Sequence, residues 1–304
     1  MNAKQPPEAG AKRVLHVNIN TTDPVKAGYV YESLSLKCAM RSESRGAVVE
    51  NDPLGNDGPT SSNVLFFYDH RGGRKAPAVE LVEWLSPATS GSHYEDPSEI
   101  GLQGVGFAVP SVEEAVDALV AAGATLTKER ITGISAEPQV VLTDLDGVRV
   151  ELFHDPDAPS PTFRRIRLSV GDLNRSVRWY EAIGWIVAGP PERQRWHHAA
   201  SPEGTEVEVV RLYLPRDPAM ELWLTQWPST GRQTVAHQKS FHRGLFRMAL
   251  SVDDVYESVE RVSSDVVTVP SPTRIELPGT PLGELWISFL RDPDGVIVEF
   301  VPRP

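Results

Sequence analysis

The chain has 304 residues, of which 40% are apolar and 23% charged, with a net charge of −11. That length supports two ordinary cores, and the negative charge excludes a nucleic-acid surface, which needs clustered cations. No apolar run approaches the ~20 residues that span a bilayer. The single Cys38 excludes an intrachain disulfide and points to a cytoplasmic, reducing setting.

Residues 1–12 are polar and proline-containing and read as a disordered tail without the apolar centre of an export signal. The alternation of Val14-Leu15-His16-Val17-Asn18-Ile19-Asn20 predicts a half-buried strand. Thr22-Asp23-Pro24 supplies a cap and a helix-starting proline, so a helix is predicted over Val25–Leu34. The polar stretch Ser42 to Ser62 reads as a long loop, followed by strands at Asn63–Tyr68 and Ala78–Trp84. Gly104–Val109 repeats the opening strand. Val112, Ala115, Val116 and Leu119 then follow helical spacing, with Gly123 as the stop. Ile166–Val170 with Asp172 opens a third unit, and Phe246–Val252 with Asp253-Asp254 a fourth. The aspartates serve free helix amides rather than a metal. Residues 155–161 carry three prolines, which stiffen the segment and block strand pairing, so a boundary is placed there.

A glutamate recurs inside an apolar strand in every unit. Asp146-Gly147-Val148-Arg149-Val150-Glu151 returns 148 residues later as Asp294-Gly295-Val296-Ile297-Val298-Glu299. Ala78-Val79-Glu80-Leu81 and Ala219-Met220-Glu221-Leu222 repeat the strand without the turn, and the four glutamates are spaced by 71, 70 and 78 residues. Such a period defines the architecture before any single motif does. A carboxylate at these places is costly unless it meets water, a partner or a metal.

These units resemble the vicinal oxygen chelate superfamily, the group of glyoxalases, bleomycin-resistance proteins and extradiol dioxygenases. The resemblance is carried by Leu15–Ile19, Leu168–Leu173, Ser176–Trp185 and Asp292–Glu299. It implies an α+β fold of four βαβββ modules at 13–85, 100–154, 163–228 and 243–304. They would pair as two curled-sheet domains, 13–154 and 163–304, on either side of a linker at 155–162. It also implies that first and last strands line each cleft. The first cleft would then hold His16, Glu80, Gly104 and Glu151, and the second Arg165, Glu221, Arg247 and Glu299.

Gly104 has no side chain to ligate with, and arginines do not bind metals. His16, Glu80 and Glu151 remain as ligands for one divalent ion, Mn, Fe, Ni or Zn. A loosened glutamate would move a proton beside it. In the second cleft Arg165 and Arg247 either neutralise Glu221 and Glu299 or fork a substrate carboxylate. Trp84 and Trp223 are stacking walls or strand core. His93 and His242 lie in connectors that could rim a cleft, and His197-His198 read as surface loop.

Three functions follow. One is a glyoxalase-like enzyme of isomerase, lyase or cyclase type, with Glu80, Glu151, Glu221 and Glu299 as catalytic candidates. The second is metal-free sequestration of an antibiotic or other planar ligand. The third, an extradiol dioxygenase, is disfavoured because Gly104 stands where a second histidine is needed. The partner in each case is a small molecule, with no nucleic acid, membrane, nucleotide or organic cofactor, and a monomer or homodimer suffices.

Overall fold

The structure is a computed structural model that describes residues 10–48, 52–56, 58–133, 139–228, 236–237, 239–262, 267, 270–277 and 283–303. Module 1 comprises β1 (Arg13–Asn20), α1 (Pro24–Ser33), β2 (Lys37–Ala47), β3 (Thr60–Tyr68) and β4 (Ala78–Ser86). Module 2 comprises β5 (Gly101–Val109), α2 (Val112–Ala121), β6 (Thr125–Thr132), β7 (Gln139–Thr143) and β8 (Arg149–His154). Module 3 adds a short strand: β9 (Thr162–Val170), α3 (Leu173–Ala182), β10 (Ile186–Val187), β11 (Glu192–His198), β12 (Ser201–Leu214) and β13 (Asp217–Gln226). Module 4 comprises β14 (Gly244–Val252), α4 (Val255–Val262), β15 (Thr273–Leu277), β16 (Gly283–Arg291) and β17 (Ile297–Pro302). No helix among the described residues is long and apolar enough to cross a membrane.

The helices begin where the capping residues place them. The Asp23, Ser111 and Asp172 side chains accept from the amides of Lys26, Glu114 and Arg175, and Asp254 does the same for Glu257. Two local expectations change. The two ends of the polar stretch Ser42 to Ser62 are strand: residues 42–47 belong to β2 and residues 60–62 to β3, which pair with each other. His197 and His198 close β11, a strand that pairs with β12 and β6. These segments are largely polar, so composition alone disguises them as loop. Residues 1–9 of the expected tail lie outside the described residues. Ala11 is buried and donates its amide to the Ile183 carbonyl, so the segment from residue 10 packs against module 3.

The modules form two curled sheets. One has eight strands in the order β15-β16-β17-β14-β1-β4-β3-β2, and the other nine in the order β10-β12-β11-β6-β7-β8-β5-β9-β13. Module 1 therefore shares a sheet with module 4, through antiparallel β1 and β14, and module 2 with module 3, through antiparallel β5 and β9. This corrects the expected cleft composition, in which modules 1 and 2 faced each other. The physical reason lies in the connectors. Residues 155–161 are the shortest link between modules, and short links keep successive strands adjacent. The longer connectors, 87–100 and 227–243, cross from one sheet to the other, and β1 and β14 cover each other's open edges.

The repeated Asp-x-Asp-Gly turns lock the two sheets together. Asp144 accepts the amides of Asp146 and Val148, and its other oxygen accepts the Tyr31 hydroxyl of α1 at 2.7 Å. Asp292 repeats this with the amides of Asp294 and Val296 and the Tyr180 hydroxyl of α3 at 3.1 Å. Gly147 and Gly295 take φ of 85° and 89°, which a side chain would resist. Burial, with the neighbouring Asp146 or Asp294 charge, pushes the carboxyls of Asp144 and Asp292 up to about 7.

A raised carboxyl binds its proton in the native state where the unfolded chain has lost it. Its stabilisation is full below the unfolded value of 3.8 and is lost as pH rises through about 7. Asparagine mimics the protonated form. The double variant Asp144→Asn, Asp292→Asn is therefore expected to lose less melting temperature than the wild type as pH crosses this range. An unchanged pH slope would contradict the assignment.

Candidate functional site

Ladder partners point to one face of a sheet, so register decides what meets in each cleft. His16 lies opposite Ala78 on β4 and Ala249 on β14, while Ala249 in turn lies opposite Glu299. One rung along, Asn18 lies opposite Glu80 and Arg247. The eight-stranded sheet thus gathers His16, Asn18, Glu80, Arg247 and Glu299 on its concave face.

The Arg247 guanidinium joins the two acids. Its Nη2 donates to Glu80 Oε2 at 3.2 Å and its Nε to Glu299 Oε2 at 3.0 Å. His16 Nε2 faces the same two oxygens, at 3.4 Å from Glu80 and 3.7 Å from Glu299. Burial pushes the Glu299 carboxyl upward, but the nearby His16 imidazole and the Arg247 charge outweigh it and leave Glu299 below its ordinary value. For Arg247, burial lowers the pKa and the two glutamates raise it further, so the net direction is up.

Polar atoms remain unsatisfied here. His16 Nε2 and both amide atoms of Asn18 are buried without a hydrogen-bond partner. Native structures hold few such groups, and a cluster of them marks a place where a ligand or water belongs. Beside them is a cavity of about 100 Å³. His16, Glu80, Arg247 and Glu299 line it together with Leu15, Met40, Phe66, Ile275, Leu285 and Val301, and Tyr68 and Arg303 supply its other polar groups.

The nine-stranded sheet has closed over its counterpart. Glu151 is fully buried and held by two arginines: Arg167 grips it through Nε and Nη2, and Arg165 Nη1 lies at 3.2 Å. Burial raises the Glu151 carboxyl, while Arg167 and then Arg165 lower it more, so it sits below the usual carboxylate value. Burial brings the Arg165 guanidinium down to about 10. That cation stacks on the Trp223 ring at 3.5 Å. Trp223 packs with Trp196, Trp227, Val207, Val209, Ile131 and Val141 to fill the concavity. A Cβ on Gly104 would meet the Arg149 carbonyl oxygen at 2.7 Å, so the strand approaches too closely for any side chain there. Among the described residues these side chains pack together across the face that bears Glu151.

Several expected assignments change accordingly. Glu151 belongs to the other sheet and cannot join His16 and Glu80 around an ion. Arg165 pairs with Glu151 rather than Glu221. In the β9–β13 register Arg167 lies opposite Trp223 and Arg165 opposite Glu221, so Trp223 takes the place that Glu80 and Glu299 hold in their modules. Glu221 is half-buried, accepts the Trp223 indole N–H at 2.6 Å and faces Arg211 at 3.5 Å. Trp84 donates to Asn20 outside the cavity lining, so neither tryptophan walls the open site. His93 and His242 pack in the connectors, where His93 Nε2 meets the Gln103 carbonyl and His242 Nε2 the Ser92 carbonyl. Asn18, Tyr68, Arg167 and Arg303 were missed. Asn18 and Arg167 each stand two residues beyond a residue already singled out, which on a strand means the same face.

The residues present do not suit a divalent ion. An ion would need Glu80 and Glu299 oxygens at about 2.0–2.2 Å, yet those oxygens are bonded to a permanent cation. Among the described residues no group of three His, Cys, Asp or Glu side chains is spaced to hold a metal.

Residues 162–300 match the model of the Glyoxalase/Bleomycin resistance protein/Dioxygenase superfamily. The chain carries a domain of this superfamily. No curated protein matches the sequence. Among solved structures, glyoxalase I from Zea mays is 22% identical, with a TM-score of 0.68 over 96% of this chain and 92% of that one. A putative dioxygenase from Bacillus subtilis is 14% identical, with a TM-score of 0.62 over 96% of this chain and 86% of that one. Both likenesses establish the shared fold of two barrel-like curled sheets.

Replacing the central cation should reopen the site to metal. Arg247→His leaves an imidazole beside His16, Glu80 and Glu299, and this variant is expected to take up one equivalent of Ni²⁺ or Zn²⁺ in equilibrium dialysis. The wild type is expected to take up far less. Stoichiometric, tight uptake by the wild type would contradict the reading of Arg247 as the occupant.

Proposed function

We propose that the cleft shared by modules 1 and 4 is the active site of an enzyme that moves a proton within a small carbonyl-containing molecule. The reaction class is isomerase or lyase. The observation that supports it most is a guanidinium held by two carboxylates beside unsatisfied polar atoms and a small, apolar-walled cavity. Arg247 Nε and Nη2 are committed to Glu299 and Glu80, whereas Nη1 has no partner among the described residues. It is positioned to donate to a substrate oxygen.

Arginine remains protonated through such a reaction. It therefore stabilises developing negative charge without giving up a proton, an effect enlarged where water is excluded. Glu80 is the candidate base. It would remove a proton from the carbon next to the carbonyl, and the resulting enolate oxygen would rest on Arg247. Return of that proton to the neighbouring carbon or oxygen completes an isomerisation with all atoms conserved. His16, between Glu80 and Glu299, would relay the proton or fix the carboxylate, and the Glu299 charge holds Arg247 in place. Sequestration of a planar ligand fits less well, because Trp223 is built into the closed sheet. We place the activity in a reducing cytoplasm, consistent with the free Cys38, and one chain supplies every residue of the site.

The test is exchange of carbon-bound hydrogen in heavy water. A panel of small 2-oxo and 2-hydroxy compounds, followed by proton NMR, should contain one whose exchange the protein accelerates. Glu80→Gln should lower that rate by about 10²- to 10⁴-fold, whereas Glu221→Gln should leave it within a few-fold. No accelerated exchange, or equal loss in both variants, would contradict the proposal.

A further inference from the structure

The polar groups of the open cavity are arranged by sign. Glu80, Arg247 and Asn18 occupy one rung of the sheet, with His16 and Glu299 on the next. Both carboxylates of the cavity, Glu80 and Glu299, lie at this end, where they face one guanidinium. Alternation along β17 carries Glu299, Val301 and then Arg303 along one face, and Arg13 lies opposite Ser251, itself the partner of Val301. Arg303 and Arg13 therefore stand together at the far end of the cavity, with Tyr68 beside them.

These cations lack an acid of their own in the cavity. The Arg303 side chain makes no ion pair or hydrogen bond among the described residues, although it lines the cavity. Among the described residues the Arg13 side chain donates to the Arg74 carbonyl and makes no ion pair. Burial lowers the Arg13 pKa, and the like charge of Arg303 lowers it further, with Asp217 opposing. Two arginines that repel each other across a partly buried space raise the local positive potential. The Tyr68 hydroxyl also has no partner among the described residues. Burial raises its pKa, so it remains a hydrogen-bond donor at neutral pH.

We infer that Arg303, with Tyr68 and the field of Arg13, anchors a carboxylate group of the substrate. This inference rests on the proposed reaction at the opposite end and adds the substrate class: a compact, apolar-bodied carboxylic acid carrying the reacting carbonyl. The end that holds both carboxylates repels the acid head and the arginine end accepts it, so the charge pattern fixes one orientation. The planar guanidinium matches a carboxylate with two parallel donors. Leu15, Met40 and Val301 contact the carbon body between the two ends. A reacting carbon is thereby brought to Glu80, with its carbonyl oxygen toward Arg247 Nη1.

The experiment compares butyrate with butyramide, which share a shape and differ in charge, by ligand-observed NMR titration. The wild type is expected to bind butyrate at least about tenfold tighter, a difference near 1.4 kcal/mol. Arg303→Gln should bring the two ligands within about twofold. Butyrate diffused into wild-type crystals should place its carboxylate at Arg303 and its methyl group toward Phe66, a readout that needs no variant. Equal binding of the two ligands, no binding of butyrate, a preference that survives in Arg303→Gln, or a carboxylate seated at Arg247 would each overturn the assignment. Glu80→Gln is expected to lose hydrogen exchange while keeping the butyrate preference. Failure of the anchor is thereby separated from failure of the proton-transfer reading.

Discussion

One buried guanidinium organises the open cleft. Arg247 lies between two glutamates from different modules, close enough to both to take the place that a divalent ion would fill between them. Three ionic groups out of water carry a large desolvation cost, offset only because each charge has a close, hydrogen-bonded opposite. Removing the cation alone would leave two carboxylates facing each other, a change of about 3–5 kcal/mol for a buried pair broken on one side. The same arrangement leaves one guanidinium nitrogen uncommitted and points it at a small cavity. Stability and the proposed chemistry would thus depend on the same side chain.

The two sheets answer one electrostatic problem in different ways. In the nine-stranded sheet Glu151 receives two arginines, a tryptophan covers one of them, and aromatic packing fills the concavity. Gly104 and Gly106 allow the closure, since a Cβ at Gly106 would meet the Arg165 Cβ at 2.8 Å. In the eight-stranded sheet a single arginine serves two glutamates, with His16 facing both, and a void persists beside them. The difference lies in packing rather than in net charge: aromatic side chains cover the ion pairs of one sheet, and a cavity lies beside those of the other. Duplication supplied two frames, of which one retains the features of a site.

The fold was legible because its signals are local: Asp23, Asp172 and Asp254 cap helices, and the Asp-Gly turns recur at a fixed interval. The pairing of modules was not legible. Each β1-type strand can edge against any other, and only the shortness of residues 155–161 chooses between arrangements. Reading those prolines as a boundary therefore grouped His16 with Glu151, although the curled sheets place them apart. The glutamate of module 3 misled for a related reason. Glu221 matches its counterparts in apolar context, yet the ladder shows Trp223 on the equivalent rung, and a shift of two residues preserves the face. His16, Glu80, Arg247 and Glu299 were all visible as unusual strand residues; what sequence could not show was that they meet. Arg303 and Tyr68 carry no motif, and only the unfilled space around them marks them.

The central claim is that Arg247 couples modules 1 and 4 through Glu80. A thermodynamic cycle in chemical denaturation, built from Glu80→Gln, Arg247→Met and the double variant, tests this most directly. The account predicts a coupling of about 0.5–3 kcal/mol, with the double variant less destabilised than the two single losses together. Strict additivity would contradict it, because two side chains that do not interact cannot be the bridge on which the open cleft is built.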